Sequence, residues 1–171
     1  IRQVSHSPKQ PRSDESVIIT AKVTDPDGVA SVTLESQDVA PGAYVPAFRA
    51  KTTSALLANP TGPRDANPAY EQNWTDHVML DDGAGADEVA GDGVYSVALL
   101  ARPNRTLVRY RITVEDNAGS SVRVPYEDDD RLNFGYFHYD GVPDYVTTRG
   151  TFSAEEMTSI PVYHVLTTSG D

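Results

Sequence analysis

The 171-residue chain contains no cysteine. Disulfide staples, thiolate nucleophiles and zinc–thiolate centres are therefore excluded. No apolar run approaches the roughly 20 residues that a membrane-spanning helix needs. Positive charge is scarce: 14 Lys and Arg stand against 25 Asp and Glu, a net charge of −11. Nucleic acid and anionic membranes both need a basic footprint, so neither is expected as a partner. There is no Gly-Lys-Ser/Thr phosphate loop, no Gly-x-Ser-x-Gly elbow and no H-E-x-x-H pair. The histidines His6, His77, His138 and His164 are scattered, whereas zinc needs three or four converging ligands. A glycosidase carboxylate pair needs a cleft, for which a small β domain has little room. No enzymatic activity is expected. The chain opens at Ile1 without a signal-peptide pattern and reads as a piece of a longer polypeptide.

What is present is period-2 alternation. In residues 17–24, Val17, Ile19, Ala21 and Val23 share one face; in 107–115, Val108, Tyr110, Ile112 and Val114 do. Residues 1–7, 30–35, 74–80, 94–100 and 121–124 read as further strands. Asp25-Pro26-Asp27-Gly28, Arg102-Pro103-Asn104 and Asp116-Asn117-Ala118-Gly119 are turn signals. Short strands with regular turns and one apolar face each predict an all-β antiparallel sandwich over residues 1–125. A proline-rich insert at 37–73 is too long for an ordinary loop and is expected to hold a short helix near 49–57. Residues 126–171 form a C-terminal extension or linker toward a following domain. It opens on the acidic run 127–130, continues through the aromatic-rich 134–139, has a capping box at Ser153-Ala154-Glu155-Glu156, and holds one more expected strand at 161–166.

The segment 81–95 concentrates acids and glycines. Closely spaced carboxylates repel unless water, backbone N–H groups or a hard cation lies between them. Two readings stay open. Asp and Gly favour hydrated turns; alternatively, Asp81, Asp82, Asp87 and Asp92 are candidate calcium ligands, although their spacing is not that of an EF-hand loop. Strand parity adds a spatial expectation. Consecutive antiparallel strands put alternate loops at opposite ends, so the turns at 25–28, 82–92 and 116–119 should share one end, provided the insert adds no odd number of strands. Aromatic side chains are the usual platforms for sugars. Trp74, beside the insert, and Tyr70, within it, are the candidate ligand-binding pair, against the plainer reading of core packing. The aromatics of the tail are expected to cover the sandwich edge or to dock a neighbouring domain, since they would otherwise leave an exposed apolar patch.

Residues 16–34, with their Asp-Pro-Asp-Gly turn, resemble the second and third strands of bacterial immunoglobulin-like or fibronectin type III-like domains. Val-Arg-Tyr-Arg-Ile-Thr-Val-Glu-Asp-Asn-Ala-Gly at 108–119 resembles the penultimate strand and turn of such domains. The acidic-glycine segment is similar to one found in domains of this kind on large exported bacterial proteins. Tyr139-Asp140-Gly141-Val142-Pro143-Asp144-Tyr145 and Ile160-Pro161-Val162-Tyr163-His164 resemble the segment joining such a domain to a CotH-type (spore-coat-H-like) kinase-fold domain. The resemblance implies a non-catalytic accessory module of an exported, extracellular or cell-surface protein. Such a module spaces or docks a neighbouring domain of the same polypeptide, requires no cofactor and has calcium as the candidate ion. None of the kinase motifs falls within this chain. The alternative expectation, which rests on the aromatics of the insert, is a carbohydrate-binding or adhesion module whose partner is a surface glycan or protein.

Overall fold

The computed structural model describes residues 1–158, 161–163 and 165. The alternation of the second strand explains its place. Val17, Ile19 and Ala21 are fully buried on one side of β2 (Val17–Lys22). β2 pairs antiparallel with β1 (Arg2–Ser7) and, on its other edge, with β5 (Val94–Leu99). The second sheet is also antiparallel, in the order β4 (Thr75–Val78), β3 (Val29–Val39), β6 (Leu107–Asp116) and β7 (Ser121–Val124). Val17, Ile19 and Leu99 of the first sheet meet Val32, Leu34, Val108, Tyr110 and Ile112 of the second in one core. Each such side chain contributes about 1.5–3 kcal/mol when fully buried. The fold is an all-β antiparallel sandwich.

The expected strand at 74–80 changes sheets before it ends. Just past β4, the Met79 N–H still donates to the Val32 carbonyl of β3 at 2.9 Å. Leu80 then exchanges two backbone hydrogen bonds, at 3.0 and 2.8 Å, with Ser96 of β5. The start of the acidic loop is thereby tied to the first sheet.

The second sheet continues past the boundary expected at 125. Phe134–Phe137 forms β8, which pairs with Leu107–Tyr110 of β6, while β7 pairs with Ile112–Glu115 of the same strand. Tyr136 packs into the core and Phe134 stacks on Tyr110 with ring centroids 5.3 Å apart. Beyond β8 the chain is fastened to the 8–15 loop. The Tyr139 N–H donates to the Pro11 carbonyl, and the Asp140 carboxylate accepts from both the N–H and the hydroxyl of Ser13, each bond 2.7 Å long. The sandwich therefore reaches Asp140. The acidic run at 127–130 lies in the excursion between β7 and β8.

The extension then forms a hairpin, β9 (Tyr145–Thr147) with β10 (Gly150–Phe152), and the short helix α2 (Ala154–Thr158). The capping box at Ser153 is formed reciprocally: the Ser153 N–H donates to the Glu156 carboxylate at 2.7 Å, and the Glu156 N–H to Ser153 Oγ at 3.2 Å. Of the strand expected at 161–166, residues 161–163 and 165 carry no strand, while His164 and Leu166 lie outside the described residues.

The insert adds no strand to either sheet. It holds the helix α1 (Thr53–Ala58), a 3-10 turn (Pro68–Glu71) and a bridge between Phe48 and Ala66. Strand parity is therefore preserved. Lys22 stands opposite Arg2 and Val94, and Val29 opposite Asp116. The turns at 25–28, 81–93 and 117–120 share one end. The 8–15 loop, the root of the insert and the 101–106 loop share the other. β1 begins at the acidic end and β8 leaves at the opposite one.

Candidate functional site

The acidic loop spends its carboxylates on its own backbone. Asp81 Oδ1 accepts from the N–H groups of Gly91 (2.7 Å) and Asp92 (3.2 Å), and Oδ2 from that of Gly93 (2.8 Å). Asp82 Oδ1 accepts from the Ala84 N–H at 3.0 Å and Asp92 Oδ1 from the Val94 N–H at 2.7 Å, both Asx-type turns. Asp87 folds inward over the outer face of the first sheet. Its Oδ2 accepts from the Gly83 N–H at 2.7 Å, and Oδ1 lies 3.5 Å from Ser96 Oγ. The glycines are sterically required at two points. A Cβ on Gly83 (φ +69°) would lie 3.0 Å from the Ala90 nitrogen, and one on Gly93 (φ +78°) would lie 3.0 Å from the Val23 carbonyl oxygen.

The four candidate calcium residues Asp81, Asp82, Asp87 and Asp92 do not gather into one ligand set. Among the described residues, the carboxylates that converge are Asp25, Asp27 and Asp116, with one oxygen from each within 4.8 Å of the others. Strand parity puts these three at the same end, which is the available signal in the sequence. They too hold turns. Asp25 Oδ1 accepts from the Asp27 N–H at 2.9 Å, and Asp116 Oδ1 from the N–H groups of Ala118 and Ser120 at 2.8 Å. Calcium takes six to eight oxygens, and these carboxylates supply only part of that number.

The second outer face, on β3 and β6, is covered by the insert. Arg109 and Arg111 alternate with the core residues of β6 and point away from the core, yet both are buried. The Arg109 guanidinium lies 4.7 Å from the Tyr44 ring centre and 5.2 Å from that of Tyr70. Its Nη1 donates to Gln37 Oε1 (3.1 Å) and the Val45 carbonyl (2.9 Å). Arg111 forms a two-pronged pair with Glu35 (3.1 and 3.0 Å), reaches Glu71 (2.9 Å), and lies 4.1 Å from the Trp74 ring centre. The Trp74 indole N–H donates to the Tyr70 carbonyl at 2.8 Å. Each of the two candidate sugar-binding aromatics thus lies against an arginine of β6. Tyr70 is 5% exposed, and burial raises its phenol above the ordinary range.

At the end opposite the acids lies an aromatic–histidine cluster that the sequence did not single out. His6 Nδ1 and the Tyr110 hydroxyl share a hydrogen bond at 3.0 Å, and the His6 and Tyr136 rings are 5.0 Å apart. Burial lowers the His6 imidazole and raises both phenols. No protein-family model matches the chain, and no curated protein matches it.

Proposed function

We propose that this is a non-catalytic accessory module of a larger exported protein, of the immunoglobulin-like or fibronectin type III-like kind, which spaces or docks a neighbouring domain. The observation that carries this reading is the path of the chain. It enters the sandwich at the acidic end with β1 and leaves at the far end after β8, where Tyr139 and Asp140 are fastened to the 8–15 loop. A domain threaded end to end holds its two flanking segments apart. The ten residues of β6 set that separation at roughly 30–35 Å, at about 3.3 Å per residue. The strand order β1-β2-β5 facing β4-β3-β6-β7 supports the immunoglobulin-like assignment. This reading does not call on calcium: the Asp81 and Asp87 carboxylates accept backbone N–H groups of their own loop.

The test uses the polypeptide in which residues 1–140 are followed by their neighbouring domain. Deleting the module should shorten the particle in small-angle scattering by about its own length, or lower the unfolding midpoint of the neighbour. A neighbour unchanged in both position and midpoint would overturn the reading.

A further inference from the structure

A buried carboxylate is ordinarily paired with a cation or coordinated to a metal, because desolvating a lone charge is costly. On the insert side the rule is kept: the partly buried Glu35 is paired with Arg111. Under the acidic loop it is not. Asp87 is 7% exposed, and among the described residues no Lys, Arg or His lies within ion-pair distance of it. Its carboxylate has about four acceptor positions; the Gly83 N–H fills one well and Ser96 Oγ another weakly.

Asp87 lines a cavity of about 370 Å³ between the loop and the outer face of the first sheet. Ser5, Thr20 and Ser96 stand in register across its floor, on β1, β2 and β5. Glu88 and Asp92 also line it, and Ile18 and Val94 give it an apolar side. His6 also lines it, but its two ring nitrogens are engaged by the Tyr110 hydroxyl (3.0 Å) and the Lys9 carbonyl (3.3 Å); no Lys, Arg, Trp, Tyr or Phe does. The two nearby ammonium groups bond neutral acceptors instead: Lys9 donates to Ser5 Oγ, and Lys22 to the Asp92 carbonyl.

We infer that this cavity is a binding site for an alkylammonium group, with Asp87 as its counter-ion. The chemistry chooses the class. Three carboxylates select positive charge. The apolar side wall has no use for a bare metal ion, which needs oxygen on every side, but suits an aliphatic stem. The absence of a Trp, Tyr or Phe platform argues against a sugar ring. A volume of this size holds a lysine side chain or a small free amine.

The experiment is an amide NMR titration of the whole chain with n-butylammonium chloride and, separately, with Nα-acetyl-lysine methylamide. Millimolar saturation with shifts centred on residues 86–89, Thr20 and Ser96 is expected, weakened about tenfold or more by Asp87→Asn. Lysine amide binding as tightly as butylammonium would identify a lysine of a partner polypeptide as the source; butylammonium alone would identify a free amine. Should Asp87→Asn fail to fold, Thr20→Lys serves instead. Residue 20 stands directly across from Ser96, so its new ammonium should fill the site, raise the unfolding midpoint and abolish the response to butylammonium. Resonances unmoved by either probe would overturn the inference. So would calcium binding that depends on Asp87, or a Lys9 or Lys22 ammonium found on Asp87 in the free protein.

Discussion

Each sheet of this sandwich has part of its outer face roofed by a loop, and the two roofs use opposite chemistry. Over β3 and β6 the insert closes on two cations, Arg109 and Arg111, and supplies them with rings, carbonyls and Glu71. Over β2 and β5 the acidic loop brings down an anion, Asp87, and leaves space beside it. The first roof is completed by the protein's own groups and reads as structure. The second is held by backbone N–H groups and leaves a charge without a cation partner among the described residues. Covering a face does not by itself mark a site; an unbalanced charge under the cover does.

The sharpest way to break this contrast is to unbalance the insert side. Arg111→Ala strands Glu35, which is half-buried against the sheet, and removes the partner of Trp74. It should cost about 3 kcal/mol, read as a fall of roughly 10 °C in the unfolding midpoint; Trp74→Ala should lower stability without altering binding to any glycan array. On the other side, Asp81→Ala removes the acceptor of three N–H groups and should cost about 2 kcal/mol in urea denaturation, whereas Asp82→Ala should stay within about 0.5 kcal/mol.

A third, smaller effect is set by pH. Burial lowers the His6 and His77 imidazoles below their ordinary 6.5. The unfolded chain then takes up protons first. Their contribution is fully present above about 6.5 and is lost as pH falls through the folded values. The midpoint should drop between pH 7.5 and 5.5, with a shallower slope in His6→Gln. The smallest expected change is with calcium. Because the acidic turns are already satisfied by backbone donors, millimolar calcium should move the midpoint by less than about 2 °C. A saturated site would instead add about 2.7 kcal/mol at a hundred times its dissociation constant.

Much of the frame was legible in the sequence. Alternation located the strands, the Asp-Pro-Asp-Gly turn fixed one connection, and parity alone gathered Asp25, Asp27 and Asp116 at one end. What stayed hidden depends on contacts distant in sequence. Arg109 and Arg111 occupy the polar positions of β6, and nothing local distinguishes an arginine in water from one roofed by Tyr44 and Trp74. β8 is four residues long, too short for a period to be read. Its place is decided by β6, some 27 residues earlier, as the pairing of Phe134 with Tyr110 and of Phe137 with Leu107 shows. The meeting of Asp87 with Ser96 likewise depends on how the loop folds back, which spacing alone does not encode.

The divided partner of β6 has one more consequence. A continuous outermost strand offers a row of free backbone groups on which another molecule's strand can grow, the usual seed of aggregation. Here that row is broken into two four-residue pieces, β7 and β8. Between them the chain bulges out carrying Glu127, Asp128, Asp129 and Asp130, and the first piece is followed directly by Pro125, which has no N–H to offer. An incoming strand would meet a gap and four negative charges halfway along, so this rim of the sandwich is poorly suited to recruit a second sheet.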